Sequence, residues 1–453
     1  MNKILVVMLS LVCIPTMLGF AQPLEKQTSL ETYELVVISP SEFIDHLEPL
    51  ATHKNSVGVL TTLVAVEDIY DQYPGRDGAE QIKYFIKYAI ESWDCRYVLL
   101  VGGRTFSIQT EDWLVPVRYS HIEDNVATPE LVFISDLYYA DVYDAEGNFS
   151  SWDTNDNTIF SEWLANRPAD DIVDLYPDVA VGRLPCRNTF EVDIMVNKII
   201  TYEQETAGAP WFNRMVVAGG DTYTNNDYYE GEVATQQALE CMDDFEPVKL
   251  WTSDESLSHW SDVVRTLSKG CGFVFFAGHG SPAAWGTHPP YDNTTWIFGL
   301  NRQHMPFLFN GKKLPICVVG GCHNSMFNIS YFHQSWVYGL PINECWSWHL
   351  TRKIGGGSIA TIGCTGLGYG KEDKFDPSQD GGGDYLNVLF FKEYSQNHDL
   401  HLGEVWQQSI ITYLDEYPID WNQHAFNDTA LDAKTVQEWA LLGDPSLQIG
   451  GYR

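Results

Sequence analysis

Two apolar runs near the middle of the chain end abruptly in glycine beside a reactive side chain. One is Phe275-Phe276-Ala277-Gly278-His279-Gly280-Ser281, the other Leu314-Pro315-Ile316-Cys317-Val318-Val319-Gly320-Gly321-Cys322-His323-Asn324. A continuous apolar run cut off by glycine reads as a strand buried on both faces, which requires a parallel sheet covered by helices. Such strands deliver one residue each to the carboxyl edge of the sheet, where open α/β sheets bind ligands. Here the residues delivered are a histidine and a cysteine, a general base and a thiol nucleophile if the two strands are neighbours.

The rest of the chain repeats the alternation. Strands are expected at 33–39, 57–63, 97–101 and 179–182, with helices at 40–54, 79–93 and 189–205. A second series has strands at 215–218, 245–251, 272–277, 315–319 and 358–362, with helices at 229–242, 260–268, 343–353, 385–394 and 402–417. Strand–helix alternation of this kind predicts an α/β fold with parallel-rich sheets flanked by helices. A soft boundary at Ala207-Gly208-Ala209-Pro210 divides it into two packed subdomains, 33–207 and 208–453. A chain of 453 residues is long enough for both.

Lys3, the apolar stretch from Ile4 to Leu18 and the small residues of Gly19-Phe20-Ala21 read as a secretory signal over 1–21, followed by a short segment, 22–32. No other stretch is apolar enough to span a bilayer, so no stable membrane span is expected once the signal is removed. The 61 acidic against 27 basic residues give a net charge of -34, which repels nucleic acid and anionic membranes. Nine cysteines, one of them in the signal, show no C-x-x-C spacing, so neither a zinc ribbon nor a thioredoxin motif is expected. His279, His288, Cys322 and His323 are residue types that bind zinc, but nothing completes a familiar ligand spacing.

One acidic stretch suggests a metal. Asp153, Asn155, Asn157 and Glu162 place side-chain oxygens at intervals resembling half of an EF-hand loop, with Asp141 and Asp144 just upstream. Thr158 stands where the loop glycine belongs, so a true EF-hand is excluded; a structural calcium ion is the expectation, and no cofactor is required for chemistry. Four N-x-S/T sequons start at Asn148, Asn293, Asn328 and Asn427.

The flanks of the two runs resemble a known family. Ala277-Gly278-His279-Gly280-Ser281 followed by Ala284-Trp285-Gly286-Thr287 is similar to the histidine motif of gingipain-type cysteine peptidases, and Gly321-Cys322-His323-Asn324 with Phe327 to their nucleophile motif. Ser135-Asp136-Leu137-Tyr138-Tyr139, Asp178 to Arg183, Gly357 to Ile362 and Leu442 to Leu447 extend the resemblance over nearly the whole chain after the signal. The resemblance implies a caspase/gingipain-like fold and a secreted or surface cysteine endopeptidase acting on proteins or peptides. It implies Cys322 as nucleophile, His279 as general base and acid, and the N–H groups of Gly280 and Cys322 as oxyanion hole. It further implies an acid that orients His279, for which Asp221 is the candidate. Cleavage after Arg or Lys would need an acid in the specificity pocket; Asp227, Glu230 and Glu232 are candidates, with Trp285 as a wall of the cleft. A large prosegment and an immunoglobulin-like tail, both features of gingipains, are not expected. Two other functions fit the same residues: a processing peptidase or transpeptidase that removes sorting signals, and a silent surface protein that keeps the fold for binding.

Overall fold

The apolar runs form two separate sheets. The structure, a computed structural model, describes residues 32–105, 111–123, 130–330, 342–370 and 381–453; the signal read at 1–21 lies outside them. The first sheet is built from β1 (Leu35–Ser39), β2 (Thr61–Ala65), β3 (Tyr97–Val101) and β4 (Ala180–Leu184), all parallel, in the order β2-β1-β3-β4. It packs against α1 (Ile44–Ser56), α2 (Gly78–Trp93) and α3 (Thr189–Glu205). Helix α2 shows why these segments are helical: Asp77 caps it by accepting from the Glu80 N–H, and Ile82, Phe85, Ile86 and Ala89 form one buried stripe.

The second sheet contains β5 (Arg214–Gly219), β6 (Glu246–Trp251), β7 (Phe273–Ala277), β8 (Ile316–Gly320), β9 (Ala360–Cys364) and β10 (Trp439–Leu442). Its order is β10-β9-β8-β7-β5-β6, parallel throughout except for the antiparallel β9–β10 pair. Side chains alternate across it. Phe273 and Phe275 face the main core under α4 (Glu230–Cys241) and α6 (Gly383–Gln396), while Val274 and Phe276 face a second core with Trp285, Trp346 and α5 (Trp260–Leu267). The chain later adds α7 (Leu402–Glu416) and α8 (Asp428–Glu438). Both sheets belong to one compact unit, Thr32–Arg453.

Two of the outlying motif segments meet here. Arg183 on β4 is fully buried and pairs with Asp136 through Nε and Nη2 at 2.6 and 2.8 Å. Its remaining donors go to the carbonyls of Gly102, Val115 and Pro116. The near-terminal Gly443-Asp444 segment crosses Gly182 so closely that a Cβ there would strike the Gly443 carbonyl, and Asp444 pairs with buried Lys54 at 2.8 Å.

Several boundaries differ from the sequence expectation. The strand expected at 57–63 is Thr61–Ala65, because Val57 and Val59 donate to the carbonyls of His53 and Lys54 as the chain leaves α1. The strand expected at 358–362 is Ala360–Cys364, since Ser358 is held by the Leu350 carbonyl. Neither β10 nor the small antiparallel sheet of His279–Ser281, Ala284–Thr287 and Ile297–Asn301 was foreseen.

Candidate active site

Strands β7 and β8 are immediate parallel neighbours, with Ala277 opposite Gly320. The Gly278 N–H donates to the Gly320 carbonyl at 3.0 Å, carrying the pairing one step further. His279 and Cys322 therefore leave the same edge side by side. Both line one cleft together with Thr222, Tyr223, Gly320, Gly321, Gly368, Tyr369, Gly370, Asp384 and Trp439. The cleft sits where the winding order reverses, beside the exit of β5, as ligand sites in open α/β sheets do.

Glycine is obligatory at the join. A Cβ on Gly280 would lie 2.6 Å from the Cys322 carbonyl oxygen and would strike Asn324 Oδ1; a Cβ on Gly321 would lie 2.9 Å from the Gly280 Cα. The backbones after the histidine and before the cysteine are thus in direct contact. Asn324 fastens them, its Nδ2 donating to the carbonyls of Ser281 (2.8 Å) and Ala284 (2.9 Å). Among the described residues the Cys322 N–H has no acceptor.

The orienting partner of His279 is not a carboxylate. Its Nε2 lies 3.0 Å from the Thr222 carbonyl oxygen. A carbonyl only accepts, so Nε2 carries the proton and, in the neutral ring, Nδ1 is the basic nitrogen. Asp221 precedes Thr222, but its carboxylate accepts from the Tyr291 N–H at 2.7 Å, and no hydrogen bond or ion pair joins it to His279. The expectation that Asp221 orients the imidazole directly is corrected: the adjacent carbonyl makes that contact. Burial pushes the Asp221 carboxyl upward.

Both reactive groups are held neutral. Burial lowers the His279 pKa, outweighing the Thr222 carbonyl, and neighbouring His288 adds to the effect. Burial, with the Glu438 carboxylate second, raises the Cys322 thiol to about 11. The thiol donates to the Gly368 carbonyl at 3.4 Å. The resting pair is a thiol and an imidazole.

The residue after the cysteine anchors the loop. His323 is buried with φ +58°, in the left-handed region that costs energy outside glycine. Its Nε2 contacts Glu130 Oε1 at 2.9 Å, and Glu130 Oε2 accepts from the Leu367 N–H at 2.5 Å. One carboxylate therefore ties the cysteine loop to the segment whose Gly368 carbonyl receives the thiol. This also turns His323 away from any shared metal position with His279.

Other expected site residues lie elsewhere. Trp285 is fully buried on Phe276, ring centroids 5.0 Å apart, so it is a core residue and cannot wall the cleft. Trp296, 46% exposed, stands beside the imidazole instead, 5.3 Å from His279 and 4.0 Å from His288 between centroids. Glu230 is buried and saturated by the N–H groups of Thr222 and Tyr223 and by Asn226 Nδ2. Glu232 is occupied by Ser253 and Thr252. Asp227 is exposed. None of these three lines the cleft. Tyr223, Trp296 and Asp384 carried no signal in isolation, although Trp296 and Phe298 at alternate positions mark an outward-facing aromatic pair.

The expected calcium ligands do not converge. Asp153 Oδ2 pairs with the Arg76 guanidinium at 2.5 Å and accepts from the Thr158 N–H, while its Oδ1 accepts from the Asn157 N–H. Asn155 Oδ1 accepts from the Asn157 N–H, and Asn157 Nδ2 donates to Glu162 at 2.6 Å. Asp141 is buried elsewhere against Trp152 Nε1 and the Leu175 N–H, and Asp144 caps its own turn at Asn148. Among the described residues no group of three His, Cys, Asp or Glu side chains is arranged to hold a metal ion. An arginine and internal turn bonds satisfy the oxygens that calcium would need, so the residues do not fit the ion. All eight cysteines from Cys95 to Cys364 are free thiols.

Comparison with known proteins places the chain in a family. Gingipain R2 of Porphyromonas gingivalis is 22% identical over 428 residues, covering 92% of this chain and 46% of the relative. An uncharacterized protein of Archaeoglobus fulgidus is 21% identical over 432 residues, covering 90% and 92%. The chain spans about half the length of the gingipain R2 relatives it matches. Among solved structures, the crystal structure of the Arg-specific cysteine proteinase gingipain R superposes with a TM-score of 0.60 at 19% identity, covering 93% of this chain and 79% of that one. The complex of Porphyromonas gingivalis RgpB pro- and mature domains gives 0.59 at 19% identity, covering 92% and 79%. These likenesses establish the gingipain-like α/β fold. The family model of Peptidase family C25 matches residues 28–450, which take in both sheets and every residue of the cleft, and the chain belongs to that family.

Proposed function

We propose that the protein is a cysteine endopeptidase in which Cys322 attacks the scissile carbonyl carbon and His279 moves the proton. The observation that carries this reading is the shared cleft: two neighbouring strand ends present a thiol and an imidazole whose tautomer the Thr222 carbonyl fixes. The thiol proton passes to His279 Nδ1 as sulfur bonds to carbon. The oxyanion forms against the N–H groups of Cys322 and Gly280. The C–N bond then breaks, His279 returns the proton to the leaving amine, and a thioester remains. Water attacks that thioester with His279 as base, releasing the acid and restoring the thiol. Because both groups are neutral at rest, the nucleophile is generated when substrate arrives.

Substrates in this reading are proteins or peptides with Arg or Lys before the scissile bond, supported by the Asp384 carboxylate in the cleft lining and by the likeness to a structure described as Arg-specific. Export is proposed from the N-terminal sequence pattern alone. Cys322→Ala is the test: it abolishes cleavage of casein and of an Arg/Lys reporter panel while circular dichroism stays unchanged. Full activity in that variant ends the proposal.

A further inference from the structure

Among the described residues, one carboxylate of the cleft has no partner inside the protein. Asp384 lines it in company with His279 and Cys322, partly open to the cleft. Among the described residues it makes no hydrogen bond and no ion pair, in contrast to Glu230 and Glu232, whose oxygens are all engaged. Its position is defined on two sides. A Cβ on Gly320 would lie 2.9 Å from Asp384 Oδ1, and one on Gly370 would lie 3.4 Å from Oδ2 and 3.5 Å from the Tyr223 hydroxyl. The carboxylate therefore sits on the cleft floor between two glycines, two residues before Cys322 along β8 and across from Tyr223.

An ionised carboxylate left unpaired in such a place is unfavourable unless a cation arrives. Burial and the neighbouring Glu230 raise the Asp384 carboxyl to about 7, the state of a carboxylate lacking a counter-charge. Tyr223, Tyr369 and Trp439 supply the aromatic walls along which an aliphatic stem can lie while its charged end reaches the floor.

We infer that Asp384 is the specificity carboxylate, receiving the Arg or Lys side chain of the substrate residue before the scissile bond. This rests on the cysteine-peptidase reading of the same cleft and replaces the three acids that sequence suggested for the role. A guanidinium would engage both oxygens, a lysine ammonium one or both through its rotatable N–H groups.

The experiment compares wild type, Asp384→Asn and Asp384→Glu on peptides that differ only in the residue before the scissile bond: Arg, Lys, Gln or Leu. The ratio of kcat/KM for Arg over Gln is expected to fall on the order of 10²-fold in Asp384→Asn, the cost of leaving a buried charge unpaired, and to survive in Asp384→Glu. Benzamidine, a small cation, is expected to protect Cys322 from iodoacetamide in wild type and not in Asp384→Asn. A melting curve and circular dichroism spectrum matching wild type show that the Asp384→Asn variant is folded. An unchanged Arg-to-Gln ratio, or equal benzamidine protection, overturns the inference and leaves the peptidase reading standing. A wild type that is labelled at Cys322 and prefers neutral residues does the same. A wild type that cleaves no peptide overturns both.

Discussion

The two sheets present the same kind of edge and finish it differently. At the carboxyl edge of the first sheet the Arg183 guanidinium fills the space, and its five N–H groups are all accepted, by Asp136 and three backbone carbonyls. At the same edge of the second sheet the space is left open, and among the described residues three polar groups there have no partner: the Cys322 N–H, the Asp384 carboxylate and one nitrogen of His279. One edge uses its polar groups to hold the fold; in the proposed function the other keeps them for a substrate.

Substitutions can break this contrast from either side. Cys322→Ala, on the open edge, is expected to lower kcat/KM by at least about 10⁴-fold with no loss of thermal stability, as removal of a nucleophile does; peptide hydrolysis and a melting curve measured together check it. Arg183→Met, on the filled edge, leaves Asp136 buried without its cation and is expected to cost about 3–5 kcal/mol of stability, read from denaturant unfolding. Little loss there would mean that the plug is not what closes the first edge.

Gly280→Ala tests the contact between the two strand exits. Its Cβ would press on the Cys322 carbonyl oxygen and Asn324, displacing the cysteine loop, and about 10²-fold loss of kcat is expected because small misplacements are costly near the reacting atoms. An alanine enzyme of wild-type kcat would show that the close approach is dispensable.

The pH profile on a peptide with Gln before the scissile bond sharpens the neutral-pair account. His279 must be unprotonated to act as base, so activity falls about tenfold per pH unit on the acid side. Burial moves that limb below the ordinary imidazole value. Alkylation of Cys322 by iodoacetamide in the free protein keeps rising above neutrality toward about 11. An acid limb above the usual imidazole value, or alkylation that levels off near neutrality, contradicts it. Trp296→Ala gives the smallest effect, a few-fold rise in KM with stability within about 0.5 kcal/mol, as for other exposed positions.

Much of the second sheet was legible in the sequence because its strands are buried on both faces, and continuous apolar runs announce that condition. The pairing of His279 with Cys322 was legible because each follows such a run across glycine. Strand β10 was not, since it leaves α8 without a turn residue between them. The hairpin after His279 was missed because its strands are short and carry Gly, Trp and Thr, not an alternating pattern. Trp285 looked like a cleft wall because it follows the histidine closely, yet the hairpin turns it into the core. Asp384 was invisible for a related reason. It belongs to the cleft only through the packing of α6 against β8, which no local pattern near either motif encodes. The loop rich in Asp and Asn read as a calcium site because Arg76, far away in sequence, could not be placed beside it.

The most direct measurement is peptide mapping of the protein after reaction with an acyloxymethyl ketone carrying arginine. The account predicts one adduct per chain, on Cys322, greatly reduced in His279→Ala. An adduct on another cysteine, or active enzyme that leaves Cys322 unlabelled, would contradict it.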